Sequence, residues 1–207
     1  PSPAAALLSF LAALIGLEAF SALSALLAAR GVRLGGFAYA YSIGFQGLVF
    51  ALPTLLYYLR RPALRPALRR HLPDPLCALL LAAAALAGMV ALNWISLYWM
   101  HFLKSFGLIA RSGNEAVPRT AAQLWWMLAA SAIAPAAFEE LLFRGFLLPS
   151  LEPLGKSRAA LLSGAMFALL HGRIEALPAH LLLGLLLAFL VLETDSLPAA
   201  MLYHAVH

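Results

Sequence analysis

The chain has little charge and almost no cysteine. Only 11 % of its 207 residues are Asp, Glu, Lys or Arg, whereas 63 % are hydrophobic. A soluble domain carries about 25 % charged residues, so this chain could not cover its surface with polar groups in water. Disorder is excluded for the opposite reason, because disordered chains are poor in apolar residues. The single cysteine, Cys77, excludes a disulfide framework and a multi-cysteine zinc site.

The chain instead contains a series of apolar runs. A membrane-spanning helix needs about 20 mostly apolar residues, and a helix satisfies its own backbone hydrogen bonds in lipid. The runs cover residues 4–29, 37–59, 76–100, 121–148, 158–172, 177–192 and 197 to the chain end. Pro149 begins a predicted loop that reaches Lys156. The predicted fold class is all-α, a polytopic transmembrane helical bundle of about seven spans.

We expect one integral-membrane domain over residues 1–207, without internal repeats. Residues 1–120 hold the N-terminal spans and a basic loop, and residues 121–207 form the candidate catalytic core. The chain begins with Pro1 rather than Met and stops at His207 directly after an apolar run, which predicts a segment of a longer protein. The first run is too long for a cleaved signal peptide and lacks a basic start.

The basic loop at 60–71 sets the predicted orientation. Its sequence, RRPALRPALRRH, contains five arginines. The positive-inside rule therefore places it in the cytoplasm, and the loops at 30–36 and 101–120 on the opposite side. We interpret the arginines as a topology signal rather than a site for anionic lipid or nucleic acid, and no nucleic-acid partner is predicted. The predicted location is a multi-pass integral membrane protein, in the plasma membrane if the source is bacterial.

Five ionisable residues lie within the last four apolar runs: Glu139, Glu140, Arg144, His171 and His204. Such groups are expensive in a bilayer unless they are paired or hydrated, so each is a candidate for function. Glu140 and Arg144 are four residues apart on one helical face and can pair. Glu139 is rotated by about 100° and is left less compensated, which suits a general base. Alternatively, both acids only join helices through Arg144.

Two histidines on separate helices add to the carboxylate pair. A carboxylate can activate water, and imidazoles such as His171 and His204 can donate hydrogen bonds or bind a metal, so the set suits hydrolysis. His180 would lie about 180° from His171 on a continuous helix, although Pro178 could interrupt that helix, and we interpret His180 as a packing or interfacial residue. Glu18 could line a water-filled cavity, although an interfacial position or a helix–helix hydrogen bond is favoured.

The motifs resemble those of the CPBP (Abi) family of intramembrane proteases. The resemblance rests on E-E-x-x-x-R at 139–144, F-x-x-x-H at 167–171 and a late His204, in this order on successive helices. It covers roughly residues 121–207. The family includes the type II CAAX prenyl endopeptidases and bacteriocin-processing or bacteriocin-immunity proteins. The resemblance therefore implies an intramembrane endopeptidase that cleaves a lipidated or membrane-tethered peptide.

The resemblance also implies a role for each charged or histidine residue of the motifs. Glu139 would activate the attacking water, and Glu140 with Arg144 would hold the helix and support the site. His171 would position the water or assist proton transfer, and His204 would help to stabilise the oxyanion. The family's last motif, H-x-x-x-N, would place its asparagine at position 208, one residue beyond this sequence.

Three alternatives remain open at this point. His171, His204 and Glu139 could be three ligands of a catalytic zinc ion, although a metal-free, glutamate-activated water without any cofactor is favoured. A proton-coupled transporter or channel could use the same buried acids and histidines as a relay, but the chain lacks an inverted repeat. A non-catalytic family member could act as a membrane immunity or scaffold protein.

Overall fold

The protein is a bundle of helices. The computed structural model describes residues 1–32, 37–108 and 117–207. Within these ranges the only β-structure is an isolated bridge between Arg70 and Ser196, so the all-α prediction is confirmed. With contiguous segments joined, the helices are α1 (Pro3–Ala29), α2 (Phe37–Arg60), α3 (Pro75–Ser105), α4 (Ala121–Leu154), α5 (Lys156–Leu170), α6 (Leu177–Thr194) and α7 (Leu197–Val206). Parts of the predicted loops at 30–36 and 101–120 lie outside the described residues.

All seven predicted apolar runs are helical, but they differ in length. Among the described residues, 5 helices are long and apolar enough to cross a membrane, namely α1, α2, α3, α4 and α6 with its preceding turn. The helices α5 and α7 contain 15 and 10 residues. At about 1.5 Å per residue they are shorter than the hydrocarbon core, which is about 30 Å thick. The protein is therefore an integral membrane bundle in which two of the predicted spans are short.

In the part of the chain that the structure describes, three π-helical turns interrupt the long helices. They span Gly47–Ala51, Ala129–Ile133 and Phe143–Leu147. A proline follows each turn two residues after its end, at Pro53, Pro135 and Pro149. Proline has no N–H and its ring collides with the carbonyl one turn earlier, so an extra residue in the turn relieves the clash. The predicted loop from Pro149 is therefore wrong, because α4 continues through this proline to Leu154.

The carbonyl groups released near these prolines bind side chains of α2. Pro135 cannot donate to the Ala130 carbonyl, and this oxygen accepts a 3.1 Å hydrogen bond from Gln46 Nε2. The Gly145 carbonyl accepts a 2.6 Å bond from the Tyr58 hydroxyl. Backbone groups that would be unsatisfied in lipid thereby join α2 to α4.

Two glycines allow α5 and α6 to pack against each other closely. A Cβ atom on Gly164 would lie 2.9 Å from the backbone nitrogen of Leu185, and one on Gly184 would lie 2.9 Å from the Cα atom of Gly164. These distances are shorter than real Cβ contacts, so only glycine fits at both positions. This approach fixes the position of the Gly184 carbonyl, which takes part in the site described below.

The basic loop is docked on the helices that follow it. Arg69 Nη2 donates 2.8 Å hydrogen bonds to both carboxylate oxygens of Glu152, and its Nε atom lies 3.0 Å from Asp195 Oδ1. The Arg69 carbonyl accepts a 2.8 Å bond from the Leu197 amide. At least this arginine of the 60–71 segment holds the fold together, in addition to any role in topology.

Candidate active site

A buried ion pair lies at the centre of the site. Arg144 Nη1 donates a 2.9 Å hydrogen bond to Glu140 Oε1, and both side chains are 0 % exposed. The second guanidinium nitrogen, Nη2, donates a 2.7 Å bond to the Gly184 carbonyl. Because a carboxylate only accepts, His204 Nδ1 donates the 2.9 Å bond that it shares with the same Glu140 oxygen. The pair that the spacing indicated therefore connects α4 to both α6 and α7.

Glu139 faces a different neighbour. Glu139 is 9 % exposed, and its Oε2 atom has no hydrogen-bond partner among the described residues. His171 Nε2 lies 3.8 Å from this oxygen, which is too far for a direct hydrogen bond. His171 Nδ1 lies 2.8 Å from the Phe167 carbonyl, an acceptor, so Nδ1 carries a proton and the Nε2 atom faces Glu139.

His180 lies beside the site, contrary to the position expected on a continuous helix. The ring of His180 stacks on that of His171, with centroids 4.1 Å apart and an angle of 28° between the planes. The helix is not continuous, because α5 ends at Leu170 and the chain turns before α6 begins at Leu177. The two histidines therefore belong to different helices that lie against each other.

The ring of Phe167 lies against several groups of the site, although the sequence predicts no role for this residue. Its ring is fully buried, and the Arg144 guanidinium lies 4.8 Å from its centre, a cation–π contact. The rings of His171 and His204 have centroids 4.5 and 5.7 Å from that of Phe167. The signal in the sequence is the position of Phe167 one helical turn before His171.

Glu139 and His171 line a cavity of about 240 Å³. Its other walls come largely from α1 and α2, to which the sequence analysis assigned no part of the site. Most of these residues are apolar, such as Leu17 and Phe45, and Gln46 is an exception. The Gln46 Nε2 atom is held by the Ala130 carbonyl, and its buried Oε1 atom has no partner among the described residues.

Two properties of the site, its net charge and the spacing of its possible metal ligands, test the alternative of a zinc site. Glu139, Glu140 and Arg144 together carry one net negative charge when all are ionised, which a single protonated histidine would cancel. No group of three His, Cys, Asp or Glu side chains within residues 1–32, 37–108 and 117–207 is close enough to hold a metal ion. The described geometry does not bring His171, His204 and Glu139 together as a ligand set.

Comparison with known families addresses the part of the chain that carries these residues. Residues 121–207 match the family model described as type II CAAX prenyl endopeptidase Rce1-like. The predicted family resemblance is confirmed. The CAAX-endopeptidase match begins at the first residue of α4 and includes Glu139, Glu140, Arg144, His171 and His204. No curated protein and no solved structure matches the chain. The helices α1–α3 lie outside the matched residues, and two of them, α1 and α2, supply much of the cavity wall.

Proposed function

We propose that the protein is an intramembrane endopeptidase that hydrolyses a peptide bond in a membrane-tethered or lipidated protein or peptide. The family match supports the reaction class, and the apolar helices support its location in the bilayer. One observation carries the proposal: the Oε2 atom of Glu139, which has no hydrogen-bond partner among the described residues, lies 3.8 Å from Nε2 of His171 at the wall of a cavity.

These two atoms can position the attacking water. Two acceptors 3.8 Å apart can each receive one hydrogen bond from a single water molecule. Glu139 removes a proton from the water as its oxygen attacks the carbonyl carbon of the substrate. The tetrahedral intermediate collapses when the peptide C–N bond breaks, and Glu139 returns the proton to the leaving amine, either directly or by way of His171 Nε2.

Glu140 and Arg144 support the second histidine of the proposed mechanism. With Nδ1 of His204 bonded to Glu140, the ring can carry a proton on Nε2 while the carboxylate balances its charge. A proton donor on that nitrogen would stabilise the negative oxygen of the tetrahedral intermediate. Arg144 keeps Glu140 in place through its own 2.9 Å bond. Glu140 and Arg144 are therefore positioning residues, whereas Glu139, His171 and His204 act on the reacting atoms.

The surroundings of the site suit a substrate held in the membrane. The cavity lies between helices that cross the bilayer, and its walls are mostly apolar. Such walls favour an apolar segment of peptide or an attached lipid over a soluble, charged substrate. Membrane lipid is the other expected partner, no cofactor is required, and the 60–71 loop is proposed to face the cytoplasm.

Cleavage of a membrane-tethered peptide by the purified protein in liposomes tests the proposal. We expect the parent to cleave, and Glu139→Gln and His171→Ala to lose about 100-fold or more in rate, the contribution typical of a general base. Glu193→Gln is the matched control, because Glu193 is an exposed carboxylate near the end of α6. Equal cleavage by Glu139→Gln and the parent would contradict the proposal. Proton flux that disappears in Glu139→Gln, without cleavage, would instead support the transporter.

A further inference from the structure

A second cavity adjoins the one that contains Glu139. It has a volume of about 490 Å³ and lies between α1 and the end of α5. The two cavities share four lining residues, namely Leu17, Phe20, Leu170 and His171. His171 therefore stands at the junction between them, and the second cavity is continuous with the wall of the candidate active site.

Polar residues of α1 line this second cavity. Glu18, Ser21 and Ser24 contribute to its wall, and Glu18 is the only charged residue in the 27 residues of α1. Glu18 lies eleven positions before the helix end at Ala29, which at about 1.5 Å per residue places it roughly 16 Å inside that end. Glu18 is exposed, and no cation among the described residues lies within ion-pair distance of it.

We propose that this second cavity is a water-filled entrance that leads from one membrane surface to His171. A carboxylate inside a spanning helix is tolerated when water or a cation surrounds it, and is expensive against lipid chains. The Ser21 and Ser24 hydroxyls extend the polar wall from Glu18 toward the helix end, and Gly172 lies on the facing side. A lipid tail would leave the carboxylate without a partner, so water is the occupant.

The entrance supplies the co-substrate of the proposed reaction. Water that passes Glu18 meets His171 first and Glu139 in the adjoining cavity next. This use of the water rests on the proposed function, but the hydration of the cavity does not. The entrance can therefore be tested without any substrate.

Cysteine labelling in liposomes tests the hydration. Cys77 is the only cysteine, so Cys77→Ser gives a background for Ser21→Cys, Ser24→Cys and Leu23→Cys. Leu23 lies at the same depth, is 46 % exposed, and does not line the cavity. The probe is a cationic, membrane-impermeant methanethiosulfonate, which reacts with the thiolate and therefore requires a hydrated thiol. We expect the two serine replacements to react at least ten-fold faster than Leu23→Cys.

A further substitution distinguishes a hydrated cavity next to a carboxylate from a cavity that any reagent can enter. Adding Glu18→Gln to Ser24→Cys should slow the cationic reagent several-fold and leave an uncharged methanethiosulfonate unchanged, because only the cation is attracted by the carboxylate. Equal labelling of all three cysteine variants would overturn the inference. So would labelling of the serine replacements by an uncharged, membrane-permeant reagent alone, since that result indicates a lipid-filled cavity. Labelling as expected in a protein that cleaves nothing would contradict the proposed function but not the entrance.

Discussion

Arg144 donates a 2.7 Å hydrogen bond to the backbone carbonyl of Gly184, forty residues further along the chain. The other nitrogen of the same guanidinium holds Glu140. One fully buried side chain thus fixes both the carboxylate of α4 and the backbone of α6. The planar, forked guanidinium is suited to two acceptors in fixed directions, whereas an ammonium group is a point charge.

Replacement of Arg144 should therefore destabilise the protein strongly. Arg144→Met leaves Glu140 buried without a counter-charge, and we expect a loss of about 3–5 kcal/mol in the free energy of unfolding. Arg144→Lys retains the charge and should lose less. Denaturant unfolding in detergent measures both. Arg173→Gln is the control, because its pair with Glu175 is exposed and should contribute below about 1 kcal/mol. A stable Arg144→Met would contradict the role assigned to the pair.

Replacement of Glu139 and replacement of Glu140 should have different effects on the stability of the protein. Glu139→Gln replaces a carboxylate whose Oε2 atom has no partner among the described residues, so folding should change little while cleavage is lost. Glu140→Gln weakens bonds to both Arg144 and His204, so we expect a loss of about 2 kcal/mol or more together with lower activity. Thermal unfolding and cleavage assays on the same preparations give the comparison. Similar stability losses in both variants would contradict the division of roles.

The close packing of α5 and α6 predicts a strong effect of a single methyl group. Gly184→Ala would force the helices apart, at a cost of about 1–3 kcal/mol, and would move the Gly184 carbonyl away from Arg144. We expect the midpoint of thermal unfolding and the cleavage rate to fall together. Gly44→Ala is the matched control, since a Cβ atom there meets nothing within 4 Å. This control should be neutral or stabilising by about 0.5–1 kcal/mol. Equal behaviour of the two alanine variants would show that the approach is not essential.

The docking of the basic loop predicts a local change when Arg69 is replaced. Arg69→Gln removes bonds to Glu152 and Asp195, and we expect a loss of about 1–3 kcal/mol and faster tryptic cleavage within 60–71. Arg60→Gln is the control, because Arg60 is exposed on the same segment. Limited proteolysis followed by mass spectrometry locates the cuts. Proteolysis at the parent rate would mean that the loop is held by other contacts.

Chelation should leave the proposed reaction intact. The proposed mechanism uses only protein side chains and water, so prolonged treatment with a strong zinc chelator is expected to change the cleavage rate by less than two-fold. Added Zn²⁺ after chelation serves as the control and should not stimulate. Loss of activity that Zn²⁺ restores would favour the metal alternative, in which His171, His204 and Glu139 rearrange to bind the ion.

The sequence predicts those parts of the site whose geometry follows from the spacing of residues along one helix. Glu140 and Arg144 pair because an i, i+4 spacing on a helix leaves little alternative. The position of His180 was not predictable from spacing, because its ring meets that of His171 only after the chain turns between two helices. Gln46 and Glu18 are isolated polar residues of distant helices, and only tertiary packing brings them to the cavities. Pro149 is typical of a loop, yet a π turn retains it within α4.

The position of His171 at the end of α5 determines which membrane surface it lies nearer to. Lys156 begins α5 close to Glu152, which binds Arg69, whereas His171 follows the last residue of the same helix. Fifteen residues of helix correspond to about 22 Å, so His171 lies toward the opposite membrane surface from the arginine-rich loop. If the loop faces the cytoplasm and the protein acts as we propose, His171 would meet water and substrate nearer the outer leaflet.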